Sequence, residues 1–269
     1  PLPQSLNWTN ETFPFNLFDA ILINVFSLKK EAGQFLKHTK KNITVKSGNN
    51  KTKDYQIQLK LSAVKSPFGQ EEACHPIVGN KAIVLTANTP HGIFNGLQTL
   101  YQLMNRDKIQ GCEITDYPAY NWQGYMLDVE RNYQSPELIK QQIDVMAKYK
   151  MNIFHFHVTE DIAWRLEIKQ YPQLTASENM LRNKGKYYSV KEMKKLIAYC
   201  KERYITLVPE IDMPGHSKSF SRAMGTDMQS DRGIKIVKNI LREVCTTYDI
   251  PYLHVGADEV LIKKQSISS

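Results

Sequence analysis

The stretch His254-Val-Gly-Ala-Asp-Glu-Val260 joins strand-forming residues to two adjacent carboxylates, Asp258 and Glu259. Successive side chains of a strand diverge to opposite faces. Two acids at the mouth of a strand can therefore divide labour, one acting as proton donor while the other holds and polarises a substrate. That is acid–base chemistry on a neutral polymer, most simply a glycoside. For the pair alone, a salt-bridged strand end is the plainer reading. Three other segments carry similar groups: Leu127-Asp-Val-Glu-Arg-Asn-Tyr133; His155-Phe-His-Val-Thr-Glu-Asp161 with Trp164-Arg-Leu-Glu-Ile168; and Val208-Pro-Glu-Ile-Asp-Met-Pro-Gly-His-Ser217.

Each segment closes an apolar run. Strands are expected over 124–130, 152–158, 205–212 and 251–256. Between them, Ser135 followed by Pro136 opens one helix, with Ile139, Ile143, Met146 and the stem of Lys150 on one face. Ser189 and Glu192 form a capping box ahead of Val190, Met193, Ile197 and Cys200, and a third helix is expected over 234–248. Strands alternating with helices imply parallel pairing through right-handed crossovers. The charged residues then collect at one rim: Asp128 to Arg131, Thr159 to Asp161, Asp212 to His216, and Asp258 with Glu259. This is the pattern of a (β/α)8 TIM-type barrel in an α/β protein. A doubly wound sheet would gather residues similarly, but no Gly-rich phosphate turn follows the first strand.

A barrel needs eight strands, and only about four βα units are present before the tail Leu261 to Ser269. An open half-barrel exposes an edge and an apolar face. The chain is therefore expected to be part of a longer protein, or to close by adapting or forming a homodimer. Residues 1–118 read as a small α+β domain and 119–269 as the first half of the barrel. In the former, 55–61 and 82–86 alternate as strands, Gly92 to Gly96 leads into a helix over 97–104, and Thr115 to Pro118 marks the boundary.

Hydrophobic content of 42% and charged content of 23% are ordinary for a globular protein. A net charge of +8 with Lys dense between Lys29 and Lys65 lacks any nucleic-acid-binding motif, so a solvated basic surface is expected and no nucleic-acid partner. No apolar run approaches the roughly 20 residues of a membrane span. The four cysteines form no CxxC pair, and Cys200 and Cys245, within helical patterns, are expected to be buried free thiols. Asn7, Asn10 and Asn42 fit the glycosylation pattern, which is frequent by chance. Pro1 stands where an initiator Met would be, so the chain is expected to begin after processing or within a longer gene.

In this order the four segments resemble the β-N-acetylhexosaminidases of glycoside hydrolase family 20. His91-Gly-Ile-Phe-Asn-Gly-Leu-Gln-Thr-Leu100 is similar to that family's accessory domain. The resemblance implies a retaining exo-β-N-acetylhexosaminidase, or a fragment of one. Its carbohydrate substrates would be glycosides of N-acetylglucosamine or N-acetylgalactosamine. The implied mechanism is substrate-assisted. The 2-acetamido oxygen attacks the anomeric carbon and an oxazolinium intermediate forms. Glu259 would protonate the leaving oxygen and later activate water, so it must keep its proton near neutral pH. Asp258 would hold the acetamido N–H and offset the developing positive charge. His216 and Asp161 resemble the relay beside the acid. Arg131 would reach hydroxyls of the terminal sugar. A secreted, periplasmic or lysosomal location is implied, and no cofactor.

Each role has a plainer competitor. Arg131 could pair only with Glu130 or Asp128, Asp161 could cap a helix, and His216 could be a structural loop residue. Trp164 and Arg165 are expected to pack and pair, with Glu167 as one partner. His155 and His157 read as core groups rather than ligands. The sequence also departs from the family pattern. Ala257 stands where a second glycine is usual, Glu160 replaces the more usual Asp, and Ala119 and Gln123 replace arginines near the domain junction. The tryptophans and tyrosine of the family's second half-barrel have no counterpart here. Two other functions compete with turnover: a catalytically silent sugar-binding or interaction module, and a metal-dependent barrel hydrolase. The latter would use His155, His157, Asp212, His216, His254 and Asp258. No further ligand cluster has metal-site spacing, and the family resembled needs no metal, so none is expected.

Overall fold

The computed structural model of the chain describes residues 2–48 and 55–260. The tail Leu261 to Ser269 lies outside the described residues. Contacts divide the chain into two compact units, Pro1–Asn121 with Lys148–Lys150, and Trp122–Ala147 with Met151–Ser269.

The first unit is a seven-stranded sheet with two helices. Its strands are β1 (Ser5–Pro14), β2 (Ala20–Ile23), β3 (Thr44–Ser47), β4 (Gln56–Leu61), β5 (Cys74–Val78), β6 (Ala82–Ala87) and β7 (Lys108–Thr115), in the order β1-β7-β5-β6-β4-β2-β3. The β2, β3, β4 and β6 pairings are parallel, whereas β5, β7 and β1 join antiparallel. Helices α1 (Lys29–Thr39) and α2 (Pro90–Leu103) complete it. The core gathers Leu28, Phe35, Ile57, Leu59, Ile83, Leu85, Ile93 and Leu97, all buried. β6 has the alternation expected of it, whereas β4 keeps it only in part, since Gln56 is buried beside Ile57 and Leu61 is half-buried. β2 had no such signal, because Ala20-Ile-Leu-Ile23 is buried at every position.

Helix α2 begins seven residues before the expected 97. Thr89 caps it, accepting from the N–H groups of His91 and Gly92, and Pro90 takes the first helical position. Gly92 is thus a packing residue inside the helix rather than part of a segment leading into it. A Cβ there would lie 2.4 Å from the Ala73 carbonyl oxygen and 2.9 Å from Ala87 Cβ. The missing side chain lets the helix approach the sheet.

The second unit carries three parallel strands, β8 (Gly124–Asp128), β9 (Ile153–His157) and β10 (Thr206–Glu210), in the order β10-β9-β8. They alternate with α3 (Pro136–Lys148), α4 (Val190–Lys201), α5 (Lys218–Met224) and α6 (Asp231–Thr247). The expected caps are present. Ser135 Oγ accepts from Leu138 N–H at 3.3 Å, and Ser189 and Glu192 make the reciprocal capping box. On β9, Phe154 and Phe156 are fully buried, while His155 and His157 take the other face. Lys150 lies beyond the end of α3, with φ of 60°, rather than on its apolar face. Cys200 is a buried free thiol as expected, whereas Cys245 is exposed.

The expected strand over 251–256 is not formed. Only His254 bridges, to Glu210, with His254 N–H donating to the Pro209 carbonyl at 2.9 Å and Met213 N–H to the Val255 carbonyl at 3.0 Å. Positive φ at Gly256 (65°) and Ala257 (74°) turns the backbone out of extended geometry immediately afterwards. The short helix α5 was also not expected.

Two glycine substitutions separate packing from helix propensity. Gly92→Ala should destabilise the protein by about 1–3 kcal/mol through overpacking. Gly33→Ala, in α1 with nothing within 4 Å of its Cβ position, should instead stabilise by up to about 1 kcal/mol. Urea unfolding monitored by circular dichroism reads both; equal effects would refute this view of Gly92.

Candidate active site

The segments after β8, β9 and β10 and the segment after His254 meet around one carboxylate. Glu160 is 3% exposed. Its Oε1 accepts from Arg131 Nη2 and lies 2.7 Å from His216 Nδ1. The other ring nitrogen, His216 Nε2, lies 3.3 Å from Glu259 Oε2. Arg131 Nη1 also donates to Asp128 Oδ2 at 2.5 Å, so its guanidinium spans two acids. A continuous chain results: Asp128, Arg131, Glu160, His216, Glu259. Within it, His216 can pass charge or a proton between a buried acid and an exposed one, because Glu259 is 77% exposed at its side chain.

Asp258 sits beside this chain. Ligand-type atoms of Asp212, His216 and Asp258 all lie within 4.8 Å of one another. Asp212 is 2% exposed, and burial, reinforced by Asp258 and Glu210, raises its carboxyl above the usual range. Gly256 makes the approach possible. A Cβ there would fall 1.9 Å from Asp212 Oδ1, and φ of 65° suits glycine. His216, Ala257 and Glu259 also have positive φ, at 45°, 74° and 50°. Strained backbone of this kind persists where surrounding contacts over-determine it.

Beneath the rim, Arg165 is fully buried and binds carbonyls rather than acids. It donates to the backbone oxygens of Glu130, Arg182, Asn183 and Lys186 at 2.8–3.1 Å. Burial lifts the neighbouring Glu130 carboxyl to about 7 against the pull of the Ala163 N–H, with Glu160 and Asp128 adding to the rise. The loop after β9 is thus held by a buried guanidinium rather than by Glu167, which accepts from Val190 N–H at 2.7 Å.

Residues 120–232 match the family model described as "Glycosyl hydrolase family 20, catalytic domain", and residues 1–117 match "Glycosyl hydrolase family 20, domain 2". The chain belongs to glycosyl hydrolase family 20. It is 33% identical to a "Beta-hexosaminidase" of Porphyromonas gingivalis over 66% of this chain and 28% of the relative. Another "Beta-hexosaminidase", from Vibrio furnissii, is 33% identical over 68% of this chain and 36% of the relative. The chain spans less than half the length of these curated relatives. Among solved structures it is similar to an exo-β-N-acetylglucosaminidase from Vibrio harveyi in complex with N-acetylglucosamine. That likeness has TM-score 0.84 and 26% identity, and covers 97% of this chain and 46% of the other. A β-N-acetylhexosaminidase from Bacteroides fragilis gives TM-score 0.84 and 28% identity, covering 97% and 57%. The catalytic domain is thus of the TIM-barrel class.

Against this family background the expected residues divide. Arg131, His216 and Glu259 share one contact chain, and Asp258 adjoins it. Among the described residues Asp161 pairs with Lys218, and His216 acts on it only through charge. Asp161 Oδ2 lies 2.6 Å from Lys218 Nζ, and its Oδ1 accepts from Lys218 N–H at 3.1 Å at the start of α5. Burial would raise the Asp161 carboxyl, but these two hydrogen bonds from Lys218 bring it below its ordinary value. The contact with His216 that was expected of Asp161 is made by Glu160, one residue earlier. Sequence reading named Asp212, buried behind Asp258, only in the rim and as a metal ligand, and gave no role to Glu210, which His155, His157 and His254 surround. The six residues of the metal-hydrolase alternative do not converge on one point. Among the described residues, ligand-type groups instead fall into three sets, two of which share Glu210.

Ala257 gives a direct measure of backbone strain. Ala257→Gly should stabilise the protein by about 1 kcal/mol, because an L side chain in the left-handed region costs roughly that much. Thermal unfolding of the two chains decides it; a destabilisation would show that the methyl packs rather than strains.

Proposed function

We propose that this chain carries the proton donor and the acetamido-binding acid of a retaining exo-β-N-acetylhexosaminidase, on a unit that is part of a (β/α)8 barrel. The observation carrying the reading is the contact chain from Arg131 through Glu160 and His216 to Glu259, with Asp258 beside it. Glu259 is exposed and meets a single ring nitrogen, a suitable place to deliver a proton to a glycosidic oxygen. His216 and the buried Glu160 hold that carboxyl in position and can restore its proton. Asp258 accepts the acetamido N–H and steadies the positive charge that grows as the acetamido oxygen attacks the anomeric carbon. Bond cleavage leaves an oxazolinium, and water activated by Glu259 opens it. Arg131, half exposed, keeps N–H donors for sugar hydroxyls. Terminal N-acetylglucosamine or N-acetylgalactosamine is the group released.

A sugar-binding role without turnover is the second reading. The exposure of Glu259 favours it, since water at the acid weakens electrostatic catalysis. Turnover by the 269-residue chain, assayed beside the full gene product, separates the two. Little activity is expected from the shorter chain.

In the full gene product, Glu259→Gln should lower hydrolysis of an aryl N-acetylglucosaminide by about 10²–10⁴-fold. Replacing the substrate's acetyl by trifluoroacetyl should slow the native enzyme strongly, because the attacking oxygen becomes a poorer nucleophile. Normal turnover by the variant, or indifference to fluorination, would sink the assignment.

A further inference from the structure

We propose that His155, Glu210 and His254 form a binding site for a borderline divalent transition-metal ion of the zinc class, one layer beneath the acid pair. Glu210 ends β10 and is 4% exposed. His155 Nε2 approaches its Oε2 to 2.6 Å from β9, and His254 Nδ1 approaches its Oε1 to 3.2 Å from the segment leading to Asp258. The two imidazole rings lie 4.5 Å apart between centroids, and one ligand atom from each of the three residues falls within 4.8 Å of the others.

Hydrogen bonding leaves this cluster unfinished. His155 Nε2 and His157 Nδ1 face Glu210 Oε2 at 2.6 and 2.9 Å and, against the effect of burial, hold its carboxyl well below the ordinary range, yet neither contact is well directed, and His157 Nε2 is buried without a hydrogen bond. Unpaired buried polar atoms are costly. Several of them converging on one carboxylate is the arrangement a cation relieves. The Gly256 N–H donates to His254 Nδ1 at 3.1 Å, so that nitrogen is unprotonated, and a metal taking its lone pair would have to displace this bond.

The donor set favours zinc, cobalt or nickel over calcium or magnesium, which prefer oxygen ligands. Tetrahedral zinc with bonds near 2.0–2.2 Å holds its ligand atoms about 3.3 Å apart. The separations of 2.6 and 3.2 Å to Glu210 need only small outward movements to reach that value. Access is open, because the His155 and His254 side chains are 25% and 49% exposed. His157 Nδ1, 2.9 Å from Glu210 Oε2, would orient the carboxylate from behind. The set Asp212, His157 and Glu210 shares the same acid but is wholly buried, with no entry path. The proposal concerns binding alone and uses neither Asp258 nor Glu259, so it stands apart from the hydrolase reading.

Cobalt(II) titration of the 269-residue chain, followed by visible absorption, tests it. One equivalent should bind with the intense bands of four-coordinate cobalt, and zinc should displace it. His155→Gln and His254→Gln should each weaken binding at least about tenfold, with native circular dichroism retained. Unchanged binding in both folded variants, or no saturable binding below about 1 mM, would overturn the site. Should a variant not fold, zinc-edge X-ray absorption of the unaltered chain decides. Two imidazoles per zinc are expected, and a shell of oxygen or sulfur alone overturns the proposal.

Discussion

The buried carboxylate of Glu160 is the constraint on which the rim depends. A carboxyl group at 3% exposure needs charged and hydrogen-bonded partners. It obtains them from three segments: Arg131 after β8, the Asp161 N–H after β9, and His216 after β10. Removing one partner of such a group typically costs about 3–5 kcal/mol, because the remaining charge stays buried. The acid therefore fixes where the three segments end. Glu259, which reaches the same histidine from the opposite side, is positioned by that arrangement rather than by a strand of its own.

The surrounding structure supports this at some conformational cost. His216 and Glu259 hold positive φ, and so does Ala257, where a methyl adds to the strain. Gly215 and Gly256 relieve it locally. A Cβ on Gly215 would come within 2.7 Å of the Asp258 carbonyl oxygen, so the two loops touch backbone to backbone. Arg165, spending its donors on four carbonyls, ties the long segment between β9 and α4 into the same layer. A change far from the acids can thus shift them.

Much of this was legible in the residues, for identifiable reasons. Caps depend on local chemistry, so Ser135 with Pro136 and Ser189 with Glu192 were readable as helix starts. Parallel strands carry runs bounded by charged residues, so β8, β9 and β10 were readable too. The failures have causes as well. The segment around His254 looks extended in composition, yet Gly256 and Ala257 take left-handed geometry that no side-chain pattern announces. Glu160 and Asp161 are neighbours of like charge, and only the backbone direction decides which one turns inward to His216. Glu210 escaped notice because its partners come from residues 155, 157 and 254, far apart in the chain. Gly92 and Gly96 were read as leading into the helix although they pack closely within α2.

The central claim is that Glu160 acts through His216 on proton delivery by Glu259. Its most direct measurement is the leaving-group dependence of hydrolysis by a Glu160→Gln variant of the full gene product. Aryl N-acetylglucosaminides with leaving-group acidities spanning several pKa units supply the series. The account predicts a rate loss that grows as the leaving group becomes more basic and nearly vanishes for the most acidic phenols. A uniform loss across the series would show that Glu160 merely holds the fold together, and would contradict the account.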